Sequence, residues 1–300
     1  MGTTLHRLAA TWAGSICLAC HPAPVASAAP PPAEGVVLAE EIPPGARNGW
    51  SKEIKLKLLN TAVIGGIVGY GVMYWHYGET SPQVVDEDWF EHDSAHGGAD
   101  KLGHAISTYY AVMAYSWLYD RWGYEPAQSA LYGALSAWST FCMIEVGDAF
   151  SRHGFSVEDL VMDSAGAVVG YLHRRIPGFR ARVDFRVEYW PSYGARKGTD
   201  IDYVSDYSGY KYLVALKGDG IEALSSTWLR FCELQLGYYT RGYQSQDEDY
   251  YGDPYRVLYA AVGVNLSHIF HKHNWNKTAA FLHYYQVPCT YAPLEYNLDD

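Results

Sequence analysis

Apolar positions fall into two regimes along the chain. Up to about residue 180 they form long runs bounded by turn residues, and beyond it they alternate with polar ones. The first regime predicts four helices. One covers 52–77, and its centre LLNTAVIGGIVGYGVMYW is eighteen residues without a charge, borderline in length for a membrane span. Gly65, Gly66 and Gly69 in it would permit close helix packing. The second covers 99–120 and the third 126–147, with Gly123 and Pro126 marking the turn between them. The fourth, EDLVMDSAGAVVGYLHRR, opens behind Ser156 as N-cap, carries acids at its start and Arg174 and Arg175 at its end, and stops at Pro177-Gly178. In the second regime RVDFRVEYW, YKYLVALKG, LRFCELQLGYYTRGY and YRVLYAAVGVNL predict an antiparallel sheet of about four to six strands with one face wet. A short helix near TAAFLHYY closes the chain. The expected architecture is α+β: a four-helix bundle over 50–178, then an antiparallel β region over 179–300.

Connectivity then places the charges. Short loops join the second, third and fourth helices, so neighbours run antiparallel. The start of the second (Asp100, Lys101, His104), the end of the third (Glu145, Asp148) and the start of the fourth (Asp159, Asp163) therefore meet at one end. Carboxylates pointing inward there must be paired, protonated or metal-bound. Gly166 and Gly170 continue the Asp159/Asp163 face and leave room for a neighbouring helix. Asp148, Glu158 and Asp159 also suit plain helix-end roles favoured by the macrodipole, whereas Glu145 and Asp163 lie within apolar surroundings. His92 and His96 precede Asp100 and His104 at intervals of four, but Gly97-Gly98 interrupts that register and leaves both in an acidic loop. His268, His271 and His273 form a local cluster that suits adventitious metal binding at most.

Composition narrows the partners. The formal charge is −11 and the sequence offers no basic stripe, which argues against a binder of nucleic acid or of an anionic membrane surface. Seventeen of the 27 tyrosines follow residue 180, as suits half-wet surfaces. His6 and Arg7, the apolar LAATWAGSICLAC and Ala26-Ser27-Ala28 read as a signal peptide over 1–28, with a Pro-rich linker over 29–49. Lipidation would fall on Cys20, but Cys17 stands where a lipobox carries Leu or a similar residue, so cleavage near Ala28 is the favoured reading. Cys142, Cys232 and Cys289 remain, permitting at most one disulfide, and Cys142 is expected to be a buried core thiol. No H-E-x-x-H, Walker loop or G-x-S-x-G elbow occurs.

ADKLGHA, Glu145 and GFSVEDLVMDSAGAVVG together resemble the YfiM-like predicted periplasmic lipoproteins, a family of unknown function. GYYTRGY and VGVNLS extend the likeness into the tail. The VanZ-like membrane proteins are similar more distantly: their D-K-x-x-H, single acid and D-L-x-x-N-x-x-G-x-x-x-G fall on Asp100, Lys101 and His104, on Glu145, and on Asp159, Leu160, Asp163, Gly166 and Gly170. Asp163 replaces the usual Asn. The type 2 phosphatidic acid phosphatases fit Ser151 and Arg152, but Glu158 and Met162 occupy their histidine and aspartate positions, so that mechanism does not transfer.

Two functions follow as expectations. In one, an exported envelope protein uses the polar cluster for structure or for binding an envelope lipid or membrane protein. In the other, a metal-assisted hydrolase or transferase acts on an envelope lipid or glycan, with His104, Glu145 and Asp163 as ligands of a divalent metal. Asp100 or Asp159 would then be base or supporting group, and Lys101 belongs to the same candidate site. Arg47, Lys52, Lys55 and Lys57 precede the apolar centre of the first helix and five arginines follow between 174 and 186. Four spans would put both flanks in the cytoplasm, in conflict with a cleaved signal. The expected placement is therefore an exported bundle on the outer-membrane side, inner membrane as alternative, with the first helix membrane-associated.

Overall fold

The structure, a computed structural model, describes residues 50–198, 203–244 and 247–300. The signal-peptide, lipidation and linker expectations lie outside the described residues. Helices α1 (Lys52–Tyr74), α2 (Ala99–Arg121), α3 (Pro126–Asp148) and α4 (Val157–Arg175) occupy the expected segments. Local chemistry sets their starts. The Ser51 hydroxyl accepts from Ile54 N at 3.3 Å, Pro126 opens α3, and the Ser156 hydroxyl accepts from Asp159 N at 3.2 Å. Gly97 and Gly98 both take positive φ, 60° and 80°, immediately before α2, which a side chain would resist.

Helices α2, α3 and α4 pack on one another in all three pairings, whereas α1 leans chiefly on α3. The expected four-helix bundle is thus a three-helix bundle with a fourth helix beside it. The cause is visible in α1: its apolar residues surround the axis with no stripe, and Cβ atoms added at Gly65, Gly66 or Gly69 would meet nothing within 4 Å. Those glycines serve no helix contact here. Among the described residues α1 is the one helix long and apolar enough to cross a membrane. The close approach occurs instead between α4 and α2, where an added Cβ at Gly166 would strike the Ala105 carbonyl and one at Gly170 the Val112 side chain. Gly166→Ala is therefore expected to destabilise the fold by about 1–3 kcal/mol through overpacking, while Gly66→Ala causes no loss. Denaturant midpoints of the two variants check this.

Two-residue strands β1 (Val84–Val85) and β2 (Phe155–Ser156) pair in parallel and pin the loops at one bundle end. The second half is a meander of β3 (Val183–Tyr189), β4 (Tyr210–Lys217), β5 (Cys232–Arg241), β6 (Tyr255–Val264) and β7 (Tyr291–Asn297), each antiparallel to the next. Asn276–Phe281 supplies the short helix near the end. β3 lies against α2 and the end of α4. The His173 ring nitrogen Nε2 donates to Val183 O at 2.9 Å, Phe185 packs on Tyr109, and Tyr212, paired to Val187, borders Gly103.

The sheet turns an apolar face outward, and its buried face is mixed: Leu213, Ala215, Tyr239, Val257, Tyr259 and Ala261 form an apolar cluster there beside charged residues. Its buried face carries Asp184, Arg186, Glu188, Lys217, Glu233 and Gln235, and its outward face carries Val214, Leu216, Leu234, Leu236 and Val262, all exposed. Mutual pairing makes the buried face tolerable. Arg186 binds Glu233 at 2.7 Å and Asp184 at 2.8 Å, and Lys217 binds Asp184 at 2.7 Å. The His283 ring contacts Asp184 at 2.9 Å. Alternation alone shows that two faces differ, not which one turns inward. Cys142, expected in the core, is half-buried, and Cys142, Cys232 and Cys289 are all free thiols.

Candidate functional site

All six singled-out residues converge at the end of the bundle where α2 starts, α3 ends and α4 starts. They divide into two groups, each able to present three ligand atoms within 4.8 Å of one another: Glu87, Asp100 and Asp159, and His104, Glu145 and Asp163. The first group already holds a cation. Lys101 Nζ lies 2.5 Å from Glu87, 2.9 Å from Asp100 and 3.0 Å from Asp159, with its side chain 1% exposed. Burial works to raise the Glu87 carboxyl, but the hydrogen bond from Lys101 leads the effects that outweigh it, and the group is held below its ordinary value.

The second group has no such ammonium. Asp163 is fully buried. Its Oδ1 accepts from Thr108 Oγ1 at 2.8 Å and faces His104 Nδ1 at 3.2 Å, while its Oδ2 is buried with no partner. Glu145, 2% exposed, accepts the Ser156 backbone N–H on Oε2 at 3.3 Å and turns Oε1 toward His104 Nδ1 at 3.9 Å. His104 Nε2 looks the other way, 3.7 Å from Asp159 Oδ2. A carboxylate only accepts, so the proton between His104 and Asp163 resides on Nδ1. The imidazole therefore stands among three carboxyl groups, of which burial pushes Glu145 up to about 8 and Asp159 up to about 6, and Asp163 Oδ2 stays buried without a partner. This oxygen and imidazole set suits a first-row divalent ion, and an uncompensated buried carboxylate oxygen is otherwise costly.

Sequence reasoning missed three contributors. Glu87 comes from an irregular loop whose approach no periodicity foretells. The Ser156 N–H is a backbone group. Thr108 was within reach, since it follows His104 by four and shares its helix face. Other candidates stand apart. His92 bonds Asp93 and the Pro254 carbonyl at the surface. His96 packs against Tyr207, ring centroids 4.6 Å apart and tilted, and burial pushes its imidazole below the ordinary value. Asp148 belongs to neither group. Ser151 donates to the Asp148 carbonyl within a turn, and His268 pairs with Asp219 at 3.0 Å.

No curated protein and no solved structure matches this chain. Residues 86–175, the stretch that contains both ligand groups entire, match the model of the family described as predicted periplasmic lipoprotein (DUF2279).

Proposed function

We propose that this chain is an exported envelope protein that binds one divalent cation through His104, Glu145 and Asp163. The observation that carries the reading is the unpartnered Oδ2 of fully buried Asp163, beside an imidazole and a second buried carboxylate. The periplasmic description of the family matched over 86–175 supports export, and the YfiM-like and more distant VanZ-like resemblance supports an envelope setting on the outer-membrane side. An envelope lipid or membrane protein is the partner that this setting suggests.

Lys101 has a distinct part in this reading: it fills the neighbouring acidic group and so confines the ion to one place. The Nδ1–H of His104 bonds Asp163. Coordination through Nδ1 requires that proton to leave, so binding releases it. Equilibrium dialysis against micromolar Zn²⁺ or Mn²⁺ followed by elemental analysis should give one ion per chain. Calorimetry in buffers of differing ionisation enthalpy should show net proton release. No bound ion at stoichiometry sinks the proposal.

A second reading, metal-assisted hydrolysis or transfer on an envelope lipid or glycan, has one observation in its favour. The His104 and Glu87 side chains are 21% and 32% exposed, so the buried cluster opens to the exterior on the loop side. In it Asp159 or Asp100 serves as base or supporting group.

A further inference from the structure

The polarity found in the sheet recurs in the helices. The inward positions of α3 are Ser129, Ala130, Gly133, Ala134, Ser136 and Ala137, and its outward positions include Leu131, Leu135, Trp138 and Val146, all exposed. Helix α4 turns Asp159, Asp163, Gly166, Gly170 and His173 inward and Val157, Val161, Val168 and Leu172 outward. Small and polar residues inside with large aliphatics outside is the arrangement of helices packed within hydrocarbon. Alternation of polar-in and apolar-out is likewise the arrangement of lipid-facing strands. A hydropathy average over all sides of α3 or α4 conceals this, because the polar interior cancels the apolar perimeter.

Dimensions and charge agree. Helices α1, α2 and α3 have 23 residues each and α4 has 19. They are therefore about 28–35 Å long at 1.5 Å per residue, against a hydrocarbon core of about 30 Å. The two ends of the bundle differ in sign. One carries Lys52, Lys55, Lys57, Arg121, Arg174 and Arg175, offset by Glu53, Asp120 and Glu125. There Lys52 lies over Tyr124 at 4.7 Å and Arg121 over Trp117 at 4.2 Å, a basic and aromatic rim complementary to anionic headgroups. The other end, with Glu79, Asp86, Asp88, Glu91 and Asp93, is acidic.

We infer that the perimeter formed by α1, the outward faces of α3 and α4, and the outward face of β4–β6 is a lipid-facing belt. Its occupant is bilayer hydrocarbon, and the basic end of the bundle rests among anionic headgroups. The exposed face of α1 is continuous with this belt through α3, its packing partner. The inference stands independently of the cation reading.

The test is collision with paramagnetic probes. Single nitroxides are attached through Leu135→Cys, Val168→Cys and Leu236→Cys in a full chain whose native cysteines are replaced by Ser. The proteins are reconstituted into vesicles of phosphatidylethanolamine and phosphatidylglycerol at three to one. A label on exposed Ser226→Cys, in the turn between β4 and β5, is the water control. The expected result is oxygen accessibility several-fold above that of nickel-EDDA at the three belt positions, with the reverse at Ser226. Nickel accessibility at the belt equal to the control overturns the inference. Low accessibility to both reagents also overturns it, and indicates a protein partner such as a second copy. Near-ultraviolet dichroism of each labelled chain identifies a variant that has not folded, and another position on the same face, Leu131→Cys or Val161→Cys, then replaces it.

Discussion

His104→Ala is expected to lower divalent-ion affinity by more than about 100-fold, since loss of a supporting partner alone typically costs about 10–100-fold. The same loss is expected for Glu145→Gln, which keeps the shape and the bond from the Ser156 N–H but removes the charge. Thr108→Val provides the graded control. It leaves all three ligands in place and deletes only the hydroxyl that orients Asp163, so its affinity should fall within that 10–100-fold range. Titration calorimetry with Zn²⁺ or Mn²⁺ ranks the three. Equal affinity in wild type and His104→Ala would remove the imidazole from the site.

The second large effect belongs to Lys101→Met. Glu87, Asp100 and Asp159 lose their shared ammonium, and a buried charge cluster deprived of one partner typically costs about 3–5 kcal/mol. Neutralising an acid in the same group offsets part of the loss, so Lys101→Met with Asp159→Asn should be more stable than Lys101→Met alone. Equilibrium unfolding of the single and double variants, compared as a cycle, measures the coupling. An additive pair would mean that Lys101 and Asp159 do not act on one another. The double variant also separates the two ligand groups: if only the His104 group binds the ion, refilling or emptying the Lys101 group changes stability more than affinity.

Much of this site was legible because helix geometry and loop length are. Three periodic runs with short connections fix antiparallel order, and that order alone brings His104, Glu145 and Asp163 to one end. Glu87 was not legible, because a loop has no period to place its side chains. Gly97-Gly98 was readable as an interruption, and its two positive φ angles are the reason that His92 and His96 fall outside the helix. The orientation of the sheet escaped for a different reason. Alternation in RVDFRVEY separates Asp184, Arg186 and Glu188 from Val183, Phe185 and Val187, but it carries no sign. The usual rule, apolar face inward, assumes water outside. The same assumption failed at α1, where glycines suited to packing meet no neighbour.

The free edge of β3 is closed by residues 284–286. Val187 N donates to Tyr284 O at 3.0 Å and Gln286 N donates to Val187 O at 2.8 Å, while Tyr110 Oη donates to the Tyr284 carbonyl at 2.5 Å. Tyr110 and Tyr284 are 174 positions apart, so in a chain made from its N-terminus this clasp forms long after the bundle helices have been made. Until residues 284–286 arrive, β3 offers unpaired backbone groups along its edge. The clasp thus sets an order of assembly at this edge: β3 is closed only once a segment beyond β6 has been made.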